Sequence, residues 1–163
     1  MYHYESDQGN LNIALLGDCI LTRKLSVFRE SRYLEMVNSI RKNDLVLANS
    51  EMLFHEYEGT PAWDHGGTHM ASDPNNISEL HWLGVNMVSC ANNHASDYGP
   101  RGVLDNISNL DKFGMPHAGT GRHLTEATSP TYLDTPRGRI ALIRVTVTLP
   151  AKCSYAGQPT SQD

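Results

Sequence analysis

Basic charge is in short supply here: 13 lysines and arginines face 18 aspartates and glutamates, a net charge of −5 with histidine neutral. A nonspecific nucleic-acid binder needs a basic face to displace counterions, so that class is excluded. Long apolar runs are missing too, and no stretch approaches the roughly 18–20 residues of a membrane span. The opening MYHYESDQGN lacks the basic-then-apolar order of a secretory signal, so the chain as it stands is expected to be cytoplasmic. Cysteine is scarce. Cys19, Cys90 and Cys153 are odd in number and have neither CxxC nor zinc-ribbon spacing, which points to small buried apolar residues. Cys19 stands apart because it follows Asp18 in a polar cluster. No repeat, low-complexity tract or linker divides the 163 residues, a length that fits one domain with a real core.

What the sequence does have is apolar runs alternating with helical stripes. Leu11–Leu16 (LNIALL) predicts a strand that runs into Gly17-Asp18, where glycine lets the chain turn sharply. Ser31–Arg41 carries Tyr33/Leu34, Val37 and Ile40 at helical spacing, and Asp44–Ala48 is a short buried strand. Residues Met52–Ser72 are an irregular stretch with four glycines or prolines, and a loop of that length is usually functional or mobile. Ser72-Asp73-Pro74 predicts a capped helix start, running to a stop at Gly84. Val85–Cys90 is the next strand, and Pro100 opens a helix with Val103, Leu104, Ile107 and Leu110 on one face. A short strand at Met115–His117 precedes two more, Thr131–Leu133 and Arg139–Val147, joined by a turn at Thr135–Gly138. The alternation predicts an α/β fold with a largely parallel sheet covered on both faces.

In such sheets, sites gather at the carboxyl ends of strands. Asp18 follows the first strand, Asn49 and Glu51 the second, and Asn92, Asn93, His94 and Asp97 the third. Strands ending on one sheet edge would bring these clusters together. Carboxylates and amide oxygens are ligands for hard divalent cations. A histidine beside them is suited to proton transfer near neutrality. Taken singly, each cluster has an ordinary structural explanation: Gly-Asp as a turn, Asn-Asn as backbone caps, Asp97 as a cap for the following helix.

The segments LLGDCILTRKL, DLVLANSE, GVNMVSCANNHASDYGPRGVLDNISNL and GMPHAGTGRHLTEATSPTYLDTPRGRIALI together resemble the CapA-type proteins of poly-γ-glutamate capsule synthesis, in the calcineurin-like metallophosphatase superfamily. The ANNH-x-x-D-Y-G block is the most specific part of the likeness. The resemblance implies a metallophosphatase-like layered sandwich, of which residues 1–163 form a single, partial domain matching the N-terminal half. It implies a site for Mn, Fe or Zn, with one ion or two. Asp18, Glu51 and Asn93 would be metal ligands, His94 catalytic, and Asn49, Asn92 and Asp97 supports that orient them. In this position of the superfamily a histidine often stands two residues after the first aspartate; here that residue is Ile20. A downstream Gly-His-x-x-His-like motif of the family has no match before Asp163.

The expected function is therefore a metal-dependent enzyme acting on a phosphoester or a peptide-like, poly-γ-glutamate-like substrate. A metal-dependent peptide epimerase is one alternative; a non-catalytic, truncated homologue serving as scaffold in a capsule-synthesis assembly is another. An anionic or peptide-like substrate is the expected partner. A half-sandwich would leave apolar sheet surface open, so self-association is also expected. Trp63, His69 and Arg122 are substrate-contact candidates, Arg122 because the glycines of AGTGRH could present backbone N–H groups to an anion. His65 and His69 have helical metal-ligand spacing, but Gly66-Gly67 argues against a helix there.

Overall fold

The computed structural model describes residues 9–62 and 67–146. The first strand, β1, spans Ile13–Cys19, and helix α1 follows at Ser31–Ile40. Strand β2 is Leu45–Ser50, and two-residue strands β3 (Leu53–Phe54) and β4 (Ala71–Ser72) bracket the irregular stretch. A 3₁₀ turn at Pro74–Asn76 leads into α2 (Ile77–Leu83), then β5 (Met87–Ser89) and α3 (Gly99–Lys112). The chain continues through β6 (His117–Ala118), α4 (Leu124–Thr128), β7 (Thr131–Thr135) and β8 (Gly138–Leu142). Strands β1, β2, β5 and β6 form one sheet in the order β1-β2-β5-β6, every pairing parallel. Their carboxyl ends therefore lie on one edge. Strands β7 and β8 form a separate antiparallel hairpin around the expected turn.

The helix signals act through ordinary physics. Asp73 caps the turn after it by accepting the Asn75 backbone N–H at 2.8 Å, with Pro74 in the first turn, where a missing donor costs nothing. Gly84 ends α2 at φ 104°, and a Cβ there would sit 2.9 Å from Arg41 Cγ, so both conformation and space demand glycine. Val37 of α1, Ile77, Leu80 and Leu83 of α2 and Leu110 of α3 share one core with Val46, Ala48 and Val88 of the sheet and with Cys90 just after β5.

Glu79 ties the segment after β1 to α2. It is buried, accepts the backbone N–H of Leu25 at 2.9 Å and of Ser26 at 2.7 Å, and takes the Ser26 hydroxyl at 3.0 Å. Burial alone would raise its pKa; the Ser26 and Leu25 hydrogen bonds, with Lys24 nearby, outweigh that and lower it. A carboxyl depressed in the folded state contributes stability that is present above its unfolded pKa and lost as pH falls through the folded one. Glu79→Gln is expected to cost about 1–3 kcal/mol in urea unfolding near neutral pH. The gap to wild type should narrow as acidification protonates the folded carboxyl; a gap that stays constant down to the pH of acid unfolding would refute this account.

Three expectations need correction. The chain does not turn at Gly17-Asp18; it stays in β1, with one residue too many. Leu15 pairs with Leu47, but the next pairing is Asp18 with Asn49, three residues on one strand against two on the other. Side chains alternate, so an unbroken β1 would send Asp18 to the side of Ala14 and Leu16, which pack on the core. The surplus residue reverses this. Asp18 joins Asn49 on the opposite side, and Cys19 packs on the core instead.

The sheet is also not covered throughout: on that opposite side Ile13 is 48% and Leu15 72% exposed, although Met87 on β5 is fully buried. The open strip is thus local to β1. Finally, β8 ends at Leu142, not Val147, which lies outside the described residues. Among the described residues no helix is long and apolar enough to cross a membrane.

Candidate functional site

At the carboxyl edge of the sheet, β1 delivers Asp18, β2 delivers Asn49 with Glu51 just beyond it, and the loop after β5 delivers Asn92, Asn93, His94 and Asp97. The Asn49 amide is the hinge of the arrangement. Its Nδ2 donates to Asp18 Oδ1 at 2.8 Å and also to Glu51 Oε2. Carboxylates only accept, so this fixes which end of the amide faces them. Asn49 Oδ1 then accepts from Asn92 Nδ2 at 3.3 Å, and the same Asn92 nitrogen donates to the Ser50 carbonyl at 2.7 Å. Asn92 Oδ1 accepts the His94 backbone N–H at 3.0 Å. One chain of amides thus connects two carboxylates to the histidine-bearing turn. Asn93 is exposed beside it.

His94 Nδ1 lies 2.8 Å from Asp97 Oδ2, and Asp97 is fully buried. The carboxylate has no hydrogen to give, so Nδ1 is the donor in this contact. The His94 side chain remains 14% exposed, enough for an edge to reach solvent. Asp97 does not cap α3, whose first residue is preceded by Tyr98 with no capping side chain. Instead, its Oδ2 also accepts the Met70 backbone N–H at 2.5 Å, and its carbonyl accepts the Ala62 N–H at 2.7 Å.

Both described cysteines are passive. Burial and neighbouring Asp18 push the Cys19 thiol upward, and burial pushes Cys90 up to about 12. His69 is half-buried, with Nε2 3.1 Å from the Ala62 carbonyl. Arg122 is taken up by Glu126, its Nε 3.0 Å and its Nη2 3.1 Å from the carboxylate oxygens. Trp63 and His65 lie outside the described residues.

Sequence reasoning missed two supporting residues. Asn106 Oδ1 on α3 accepts the Phe54 N–H at 2.8 Å, and Asn109 Nδ2 donates to the Phe54 carbonyl at 2.9 Å. They clasp β3 three residues after Glu51. Their i, i+3 spacing on the helix was the only available signal.

The donor set fits a hard divalent cation in part. Two acceptor-only carboxylates, Asp18 and Glu51, converge on the single neutral amide of Asn49, which brings two negative charges close together. Among the described residues, however, no three His, Cys, Asp or Glu side chains gather as a ligand set. Asp18, Glu51 and the Asn93 amide are the groups available.

An open parallel α/β sheet with carboxylates, amides and an aspartate-backed histidine at its carboxyl edge defines a class of polar-site α/β proteins. Within that class the chain belongs to the family described as bacterial capsule synthesis protein PGA_cap, whose profile matches residues 12–163. It is also similar to two uncharacterized proteins of Sinorhizobium fredii (strain NBRC 101917 / NGR234), y4sH and y4uA. Each is 34% identical over 131 residues, covering 78% of this chain and 28% of the relative. The matched stretch is thus well under half the length of those relatives.

Proposed function

We propose that this chain carries part of the active site of a metal-dependent enzyme of capsule synthesis, with the metallophosphatase-like layering that its family resemblance implies. The observation that carries the reading is the Asn49 amide shared between Asp18 and Glu51, linked through Asn92 to His94. In this reading Asp18, Glu51 and Asn93 hold one or two ions of Mn, Fe or Zn. A divalent cation there would polarise a carbonyl or phosphoryl oxygen and neutralise developing charge.

The chain's own residues do the rest. Asn49 keeps the two carboxylates aimed at one place, as outer partners of ligands do. Asp97 fixes the His94 ring with its proton on Nδ1, so Nε2 faces the work of accepting a proton or, once charged, of giving one to a leaving group. The resemblance to poly-γ-glutamate capsule proteins makes a γ-glutamyl peptide the first substrate to try, and the metallophosphatase likeness makes a phosphate ester the second.

The test is His94→Ala, assayed on γ-glutamyl anilides and aryl phosphates with metal content measured in parallel. Turnover is expected to fall by about 10²–10⁴-fold, the usual scale for loss of a general acid-base group, while metal content stays unchanged. Undiminished turnover would remove His94 from the chemistry.

A further inference from the structure

We infer that Asp97 is a joint: one buried carboxylate oxygen sets the ring of His94 and also seats the loop that follows Glu51, so that loop position and His94 orientation are coupled. The inference rests on the reading of His94 as the proton-handling group and adds the residue through which another part of the chain acts on it.

The geometry is specific. Asp97 Oδ2 receives the His94 Nδ1–H at 2.8 Å and the Met70 N–H at 2.5 Å. The Asp97 carbonyl receives the Ala62 N–H at 2.7 Å. The chain therefore departs from Asp97 at Ala62 and returns to it at Met70. His69 Nε2, 3.1 Å from the Ala62 carbonyl, ties the two feet to each other. The next residue, Tyr98, is the packing post for the same loop. Its ring stands edge-on to His55 at 4.2 Å and to His69 at 6.0 Å, and a Cβ on Gly59 would lie 3.5 Å from it.

Two donors on one oxygen compete for its charge, so each bond is stronger when the other is withdrawn. Lifting the loop off Asp97 strengthens the hold on the His94 Nδ1–H; seating it weakens that hold. Asp97 is a positioning residue in this scheme, and substrate contacts made by the loop reach His94 through it. Changes in the loop are then felt in kcat as well as KM.

The experiment is amide exchange and imidazole NMR on the isotope-labelled chain, which needs neither metal nor turnover and so separates failure of the joint from failure of the proposed chemistry. In Asp97→Ala the Met70 amide is expected to exchange about 10-fold faster or more, the scale of a lost buried hydrogen bond. Asp97→Asn, whose amide oxygen can accept both donors, should restore protection, and His94→Ala, which withdraws the competing donor, should leave it equal or higher. In Tyr98→Ala, which removes neither donor, the His94 Nδ1–H resonance should move downfield as Met70 loses protection. If Met70 exchanges at the wild-type rate in Asp97→Ala, the joint is overturned. If Asp97→Ala does not fold, Tyr98→Ala decides: a loosened Met70 with an unmoved His94 resonance overturns the joint equally.

Discussion

The double variant Asp18→Ala/Glu51→Ala is expected to purify without the Mn, Fe or Zn proposed for the wild-type site, with affinity for added Mn²⁺ lowered by more than about 100-fold. That figure is the upper end of what loss of an outer partner alone costs, and here both of the proposed charged ligands are lost. The argument is electrostatic. Asp18 and Glu51 come from different strands yet meet at the same Asn49 nitrogen. Two acceptor-only anions around a neutral amide repel, and a divalent cation relieves that repulsion far better than an N–H group can. Asn49→Ala should show the lesser effect, about 10–100-fold, because it removes orientation and leaves the charges. Elemental analysis by mass spectrometry reads the first, and calorimetric Mn²⁺ titration the second. Metal retained by the double variant would sink the proposed site. A wild-type chain that takes up none would make the Asp18–Asn49–Glu51 network a structural one in these residues, and metal chemistry would then require more of the protein.

Asn106→Ala is expected to destabilise the fold by about 2–4 kcal/mol, among the larger effects of a single substitution. Asn106 is 1% exposed, and its Oδ1 is the acceptor for the Phe54 N–H. Truncation leaves that N–H buried with no partner, costing about 1–3 kcal/mol, and opens a small void beside Cys90, whose sulfur lies 3.9 Å from Asn106 Nδ2. Urea unfolding should give a lower midpoint at unchanged slope. A variant within about 0.5 kcal/mol of wild type would show that the clasp is dispensable. Because Phe54 follows Glu51 by three residues, the same variant should also weaken Mn²⁺ binding.

Much of this was legible in the residues. The strands are apolar runs with sharp ends, and Asp73-Pro74 and Gly84 bound α2 by local chemistry. The polar groups after three successive strands could be placed on one edge because parallel strands end together. The unreadable parts have a common cause: they depend on partners far apart in sequence. Asn106 and Phe54 are 52 residues apart and Asn49 and Asp18 are 31 apart, and an asparagine on a helix carries no mark that it will hold a distant backbone. Strands β3 and β4 are two residues each, too short for alternation to show. The reversal within β1 was hidden because Leu11–Leu16 reads as a plain apolar run, with nothing in it to mark which residues face the core or where the pairing slips.

That slip has a consequence for how members of this family are compared. If Gly17 were removed, β1 would pair evenly, Leu16 with Ala48, and Asp18 would still stand opposite Asn49. The acid is anchored by its neighbour across the sheet, and the count of residues leading up to it is free to drift by one. A relative with one residue fewer before its aspartate can hold the same oxygen in the same place. A search pattern written with a fixed interval will pass it over, while one anchored on the asparagine of the adjoining strand will find it.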